Sequence, residues 1–135
     1  MNFNKFQGEF SDKNIKEMNP LVLAYIGDSV YELFIRTSLV DKNRNMLAHK
    51  LHSKAIQYVK AHGQYEALIK IEESLNEEEI YFFKRGRNCK SATVPKNASV
   101  QEYRIATGFE TLIGFLYLSE RKERLNEILN VIVEE

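Results

Sequence analysis

Two acidic residues lie deep inside the most hydrophobic stretches of the sequence. Asp28 falls within "LAYIGDSVYELFI" and Glu110 within "YRIATGFETLIGFLYL". Burying a lone carboxylate is costly, so each acid must meet a cation, hydrogen-bond donors or water in a cleft. Gly27 precedes the first acid, and Gly108 and Gly114 flank the second. Because glycine inside a helix usually reflects close backbone approach, we expect the two helices to pack closely and bring their acids together.

A pair of carboxylates that shares one site is repulsive, and a divalent cation is one remedy. Magnesium suits such a pair, because it accepts one or two carboxylates, retains several waters and binds substrate phosphate. Between Asp28 and Glu110 it would activate water and stabilise charge that develops on phosphorus. The alternative is that each acid forms a structural ion pair with a basic residue such as Arg36 or Arg104. Glu32, one turn after Asp28, is either a further acid of this site or an ion-paired or solvent-facing residue.

Basic residues cluster shortly before the second acid. The stretch "KRGRNCKSATVPKN" combines cations with glycine, proline and small polar residues, which is typical of a surface loop. Clustered cations on such a backbone suit phosphate contacts, although a solvated run of charge would have the same composition. The loop leads into the helix of Glu110, so a polyanion held there would lie close to the metal. His49 and His52 are three residues apart, but no third ligand stands out, and we expect surface or phosphate-facing side chains.

The elements that must position these residues are all predicted to be helices. No stretch shows strand alternation bounded by turns. Asn19 is a suitable N-cap with Pro20 at the first helical position, and this helix is predicted to run to about Leu39. Its apolar residues on nearly every side indicate a central, buried helix. The other predicted helices are an amphipathic one over about residues 45–60, one after a turn at His62–Gly63 that ends near Ile71, one capped by Ser74 or Asn76, one over about residues 100–118, and a final "RKERLNEILNVIV".

The composition is that of an ordinary globular protein. The chain has 135 residues, of which 44% are hydrophobic and 28% charged, and we expect a single domain over residues 1–135. A formal net charge of zero argues against a uniformly basic nucleic-acid binder. Basic residues nevertheless dominate residues 84–104 and 42–60, whereas acids dominate residues 66–79, so one face can still be basic.

The sequence also bears on the compartment. The N-terminus lacks the pattern of a secretory signal, and no apolar stretch approaches the length of a membrane span. The single cysteine, Cys89, excludes an intramolecular disulfide and the usual thiolate zinc sites. We therefore expect a cytoplasmic protein with no membrane partner.

Both acid-bearing segments resemble those of a known family. "LAYIGDSVYEL" is similar to the signature helix of ribonuclease III, and "YRIATGFETLIGFLYL" is similar to the second acid-bearing helix of that catalytic domain. The short chain, the basic loop and the expected absence of an appended double-stranded-RNA-binding domain narrow the resemblance to the Mini-ribonuclease III subfamily. The likeness covers residues 20–118.

The resemblance implies an all-α, homodimeric ribonuclease III-type endonuclease domain that cuts double-stranded RNA with Mg²⁺ and leaves 5′-phosphate ends. In the bacterial subfamily the expected substrate is precursor large-subunit (23S) ribosomal RNA, and a ribosomal protein on that precursor is a candidate partner. Asp28 matches the signature aspartate and Glu110 the distal catalytic glutamate, so both are expected catalytic residues and metal ligands. The expected RNA-binding residues are Arg85, Arg87, Lys90 and Lys96, with Arg104 and Lys54 as further candidates.

The chain departs from the family at three positions. Full-length members carry two acids upstream of the signature aspartate where this chain has Leu21 and Ala24, and Thr107 replaces an acid one turn before the distal glutamate. Fewer protein ligands would leave more water on the metal, and we expect at least one magnesium ion per subunit. The missing acids leave open a catalytically silent RNA-binding module of the same fold in a ribonucleoprotein assembly. A helical protein-interaction domain with structural ion pairs is a third interpretation.

Overall fold

The expected all-helical architecture is confirmed. A computed structural model of the chain describes residues 5–90 and 99–134, and within these ranges it contains helices and no strand. The α-helices are α1 Asp12–Glu17, α2 Pro20–Lys42, α3 Ala48–Val59, α4 Ala61–Ile71, α5 Glu77–Arg87, α6 Val100–Leu118 and α7 Lys122–Val133, with short 3₁₀ turns at Gln7–Glu9 and Glu72–Ser74. None of the helices in the described ranges combines the length and apolar character that a membrane crossing requires.

Helix α6 is the centre of the fold. It packs most extensively against α2 and α5, and further contacts join it to α4 and α7. Its side chains are buried on almost every side from Ala106 to Phe115, because helices cover it all around. Tyr31 of α2 meets Phe109 edge to face, with 4.9 Å between the ring centroids.

Helix α2 differs from the expectation of a wholly buried helix. One face, which includes Leu23, Tyr31 and Ile35, enters the core, whereas Tyr25 on another face is 80% exposed and Leu33 57% exposed. A helix that is apolar on all sides is expected to be buried, but the sequence does not show whether the residues that bury it belong to the same chain. The second apolar face of α2 is uncovered in the subunit.

Two glycine contacts set the distance between α2 and α6. A β-carbon on Gly27 of α2 would overlap the Glu110 carbonyl oxygen, and one on Gly114 of α6 would overlap the Leu23 carbonyl oxygen. The expected close packing of the two acid-bearing helices is therefore confirmed for this pair. Gly108 does not take part: a β-carbon there would lie 2.6 Å from the Phe83 carbonyl oxygen of α5.

Most predicted helix ends agree with the structure. Asn19 caps α2, since its side chain accepts a hydrogen bond from the Leu21 N–H at 2.9 Å. Asn76, rather than Ser74, caps α5 through a reciprocal pair of hydrogen bonds with Glu79.

The corner between α3 and α4 lies earlier than the sequence indicated. Lys60 forms the corner, so His62 and Gly63 belong to the first turn of α4 rather than to a turn. Gly63 is required for packing instead, because a β-carbon there would overlap the Gln57 carbonyl oxygen of α3.

A buried ion pair anchors α5, the helix that carries Arg85 and Arg87. Glu79 is 1% exposed and accepts hydrogen bonds from Arg124 of α7 at 2.7 and 2.8 Å. Burial by itself would raise the pKa of Glu79, but these hydrogen bonds and the one from the Asn76 N–H outweigh it and place the pKa below its ordinary value.

Candidate active site

Asp28 and Glu110 lie side by side where α2 crosses α6. The glycine contacts hold the two backbones at their closest approach one residue before Asp28 and at Glu110 itself. The two carboxyl groups are close enough to share a hydrogen bond. Asp28 is exposed and Glu110 is partly buried, so the pair opens to solvent on the Asp28 side. The predicted meeting of the two acids is confirmed.

Burial and charge repulsion keep Glu110 from ionising easily. Burial comes first among the causes that raise its pKa to about 8, and the negative charge of Asp28 is second. A hydrogen bond from Gln64 acts in the opposite direction. A cation between the two carboxylates would remove the repulsion, which is why the pair fits a divalent metal.

Gln64 is a neighbour of Glu110 that the sequence did not indicate. Its Nε2 lies 3.4 Å from Oε2 of Glu110 and donates to the Val59 carbonyl oxygen at 3.0 Å. Its Oε1 is buried and has no hydrogen-bond partner among the described residues. The signal in the sequence was weak, because one glutamine in an amphipathic helix is normally exposed.

The structural ion-pair interpretation of the two acids finds no support in the described residues. Arg36 pairs with Glu32 at 3.4 Å, so the ion-paired interpretation of Glu32 is confirmed. Arg104 is exposed and lines a different cleft. Within residues 5–90 and 99–134, neither Asp28 nor Glu110 forms a salt bridge.

The positions of the replaced family acids offer no further ligands. Ala24 and Thr107 are buried, and the Thr107 hydroxyl donates to the Tyr103 carbonyl oxygen at 3.1 Å. No group of three or more histidine, cysteine, aspartate or glutamate side chains in the described part of the chain is arranged to hold a metal ion. A cation here would therefore depend on two carboxylates and water, a ligand set that magnesium accepts.

A basic cleft lies at the start of α6. Arg87 at the end of α5 and Arg104 in the second turn of α6 line a cavity of about 460 Å³, together with Asn88 and Gln101. Arg104 precedes Glu110 by six residues, which corresponds to about 9 Å along the helix axis. The structure thus places two of the predicted RNA-binding arginines in one cleft, at the start of the helix that carries Glu110.

The other predicted RNA-binding residues lie apart from this cleft. Both terminal nitrogens of Arg85 donate to carbonyl oxygens that precede α2, to Lys16 at 2.9 Å and to Met18 at 2.8 Å. These contacts give Arg85 a structural role. Lys90 is exposed just after α5, and Lys54 of α3 lines a separate cleft with Lys42 of α2. Lys96 lies outside the described residues, as does all of the expected surface loop from residue 91 onward. The first four residues of that loop, 84–87, form the last turn of α5 and are therefore helical rather than irregular.

The histidines occupy the surface. His49 and His52 are exposed on α3, as expected. His62 bridges α4 and α6, with 3.0 Å between its Nδ1 and Glu102 and 2.9 Å between its Nε2 and Glu66. The hydrogen bond with Glu102 is the main cause that raises the pKa of His62. This bridge holds the turn that carries Gln64 against α6.

Known proteins are similar to this one over most of the chain. The ribonuclease III domain family matches residues 21–121. A Mini-ribonuclease 3 of Clostridium tetani is 58% identical over 93% of this chain and 83% of its own length, and one of Thermoanaerobacter sp. is 48% identical over 90% and 85%. A crystal structure of a Fusobacterium nucleatum protein superimposes with a TM-score of 0.80 at 31% identity and covers 90% of this chain and 96% of that one.

The domain match and the curated relatives agree with the fold and with the resemblance of the two acid-bearing helices. They favour the enzyme over the silent RNA-binding module and the protein-interaction domain, because the relatives are named as ribonucleases. The chain belongs to the ribonuclease III family, in its Mini-ribonuclease 3 branch, and is an endoribonuclease.

Proposed function

We propose that this protein is a magnesium-dependent endoribonuclease that trims the paired ends of precursor large-subunit ribosomal RNA in the cytoplasm, with Asp28 and Glu110 as metal ligands and catalytic residues. The observation that carries the proposal is the contact between these two carboxyl groups where α2 crosses α6. Enzymes of this family are metal-dependent, which agrees with a site whose acids repel each other.

The reaction is hydrolysis of a phosphodiester. A bound magnesium ion would supply Lewis acidity toward the scissile phosphate and toward the attacking water. The water oxygen forms a bond to phosphorus as the bond to the 3′ oxygen breaks, and the 3′ oxygen gains a proton. The products are a 5′-phosphate and a 3′-hydroxyl. Asp28 and Glu110 orient the reacting groups, and the neighbouring α2–α6 contact keeps their spacing fixed.

The duplex would be held by charge and shape. A-form RNA presents phosphates and 2′-hydroxyls rather than readable base edges, so basic side chains near the carboxylates are the expected contacts. Arg87 and Arg104 best fit this role, since they share a cleft on the helix of Glu110. Lys90, Lys96 and Lys54 remain candidates, and Arg85 would act mainly by holding the segment before α2.

A homodimer would place two such sites across one duplex, one for each strand. The uncovered face of α2, here called the α2 stripe, supports this arrangement. Its members are apolar residues at helical spacing that are exposed in the subunit: Val22, Tyr25 and Leu33. Asp28 lies on the same helix between two of them, so pairing through the α2 stripe would bring two carboxylate sites near one another.

The test is cleavage of a plain RNA duplex with and without magnesium. Asp28→Asn and Glu110→Gln are each expected to lower the cleavage rate by more than roughly 100-fold, since removing a direct ligand costs more than removing one of its partners. Duplex binding is expected to persist. Glu32→Gln is the matched control, because that acid lies on the same helix but pairs with Arg36. Wild-type cleavage by Asp28→Asn would refute the assignment.

A second assay addresses the substrate. A precursor 23S ribosomal RNA fragment with paired ends is expected to be cut at defined positions, and addition of large-subunit ribosomal proteins tests whether one of them assists. Cleavage of the fragment no faster than that of an unrelated duplex, with or without those proteins, would contradict the ribosomal role but not the nuclease activity.

A further inference from the structure

Gln64 is a buried polar side chain that contacts Glu110, one of the two carboxylates. It is 3% exposed in the first turn of α4, and Glu110 is one of its two hydrogen-bond acceptors. A buried amide loses its hydration on folding, and each of its polar groups that is left unpaired destabilises the folded state. The fold must therefore supply partners for this amide. The partners of Nε2 and of Oε1 indicate what the side chain does.

The Val59 carbonyl fixes which way the amide of Gln64 points. Val59 ends α3, and the last carbonyl oxygens of a helix have no partner within that helix. Nε2 supplies the missing donor at 3.0 Å, whereas the opposite orientation would set two oxygens against each other. Nε2 therefore keeps its remaining N–H for Glu110, and a donor favours the carboxylate form that binds cations.

The backbone of Gln64 is held from two sides. Gly63 brings the first turn of α4 so close to α3 that a β-carbon would lie 2.6 Å from the Tyr58 carbonyl oxygen. On the other side, His62 is joined to Glu102 of α6 at 3.0 Å. The first turn of α4, which carries Gln64, is therefore held against both α3 and α6, and this places the Gln64 amide beside Glu110.

The Oε1 of Gln64 is a buried acceptor without a partner among the described residues. Buried polar atoms of this kind are normally completed by an ordered water. Magnesium keeps several of its waters, and with two protein carboxylates those waters need other acceptors. The Oε1 of Gln64, which lies beside Glu110, could accept a hydrogen bond from one of these waters.

We propose that Gln64 is a positioning residue for the carboxylate pair: its Nε2 holds Glu110 toward Asp28, and its Oε1 accepts a hydrogen bond from the hydration shell of the bound cation. The proposal rests on the proposed function, because it assumes that these two acids bind a divalent metal. Partners that orient metal ligands typically contribute 10- to 100-fold in affinity, so the effect of losing Gln64 is expected to fall in roughly that range.

The experiment measures Mn²⁺ binding to the whole, RNA-free protein by titration calorimetry. Gln64→Met keeps the length of the side chain but has neither donor nor amide oxygen, and it is expected to weaken Mn²⁺ binding by roughly 10- to 100-fold. Gln57→Met is the matched control, because Gln57 is exposed on α3 at the same corner, and it is expected to bind as the wild type does. Binding by Gln64→Met within about twofold of wild type would overturn the proposal.

A second measurement needs no variant at position 64, in case Gln64→Met does not fold. In ¹⁵N-labelled wild type, addition of Mg²⁺ is expected to shift the side-chain NH₂ signals of Gln64 and not those of Gln57. No shift of the Gln64 signals would overturn the proposal.

Asp28→Asn separates the two levels of inference. If it binds Mn²⁺ as well as wild type does, the metal site itself is wrong. If it loses binding while Gln64→Met retains it, only the role of Gln64 is wrong.

Discussion

At the scale of single residues, Glu110 is the side chain whose charge depends on both its burial and its neighbour. Its pKa of about 8 means that, without a cation, the folded protein retains a proton that the unfolded chain releases near the ordinary value of 4.5. Ionisation therefore opposes folding as the pH rises from the lower value to the higher one. The same proton must leave before Glu110 can act as a metal ligand.

Because ionisation of Glu110 opposes folding, the variant Glu110→Gln, which cannot ionise at this position, gives a prediction for the pH dependence of stability. In chelator, the variant should gain stability relative to wild type as the pH rises from near 5 to near 8, by at most about 1.4 kcal/mol per pH unit. Thermal unfolding at the two pH values measures the difference, and Glu32→Gln serves as the control. Magnesium should stabilise wild type and not the variant. A difference independent of pH would contradict the assigned environment of Glu110.

At the scale of elements, the site is produced by the crossing of α2 and α6. Each helix contributes one carboxylate, and Gly27 and Gly114 permit the approach that brings them together. The His62 bridge joins the first turn of α4 to α6, and Gln64 in that turn lies beside Glu110. The proposed chemistry therefore depends on the distance between the two helices as well as on the two acids.

Gly27→Ala tests this dependence. The added methyl group would overlap the Glu110 carbonyl oxygen, so the helices must separate, and we expect a loss of about 1–3 kcal/mol in the free energy of unfolding. Cleavage should fall further than stability alone explains, because the carboxylates separate as well. Denaturant unfolding and cleavage assays under folding conditions measure the two effects.

Gly8→Ala is the control for that change. A β-carbon on Gly8 would lie 3.6 Å from the Glu120 carboxylate, which is ordinary contact. Gly8→Ala should leave both stability and cleavage near wild type. Equal behaviour of the two variants would show that the α2–α6 distance is not critical.

At the scale of the whole molecule, the proposed dimer depends on the α2 stripe and the proposed RNA contacts depend on the basic cleft. We predict that Leu33→Glu yields monomers, because a charge in an apolar interface loses its hydration without gaining a partner. Sizing at several protein concentrations measures the change. Ile69→Glu is the control, since Ile69 is 49% exposed on α4, away from the stripe. A dimer of unchanged strength in Leu33→Glu would remove the stripe from the interface.

The cleft prediction concerns the salt dependence of duplex binding. Arg87→Ala and Arg104→Ala should each weaken binding and reduce the slope of log affinity against log salt by about one, if each arginine contacts one phosphate. Binding by the inactive Asp28→Asn protein at several salt concentrations provides the measurement. Arg36→Ala, an exposed arginine paired with Glu32, is the control. Unchanged slopes for both cleft variants would exclude the cleft from the RNA site.

Local sequence determined the helices and pointed to the acids. Caps such as Asn19 and Asn76 are local signals, and so is an acid next to glycine in an apolar run, because each depends on neighbours a few residues away. The resemblance to ribonuclease III added the family and the roles expected of Asp28 and Glu110. Those features could be predicted from the amino-acid sequence alone.

Only the tertiary structure decided which groups surround the pair. Gln64 reaches Glu110 from 46 positions away, Gly108 faces α5 rather than α2, and Arg85 is engaged by the segment before α2. The uncovered face of α2 likewise follows from the packing of α6 against the other face. These contacts depend on how helices distant in sequence pack, and hydrophobic periodicity specifies which face is apolar but not which helix, or which subunit, lies against it.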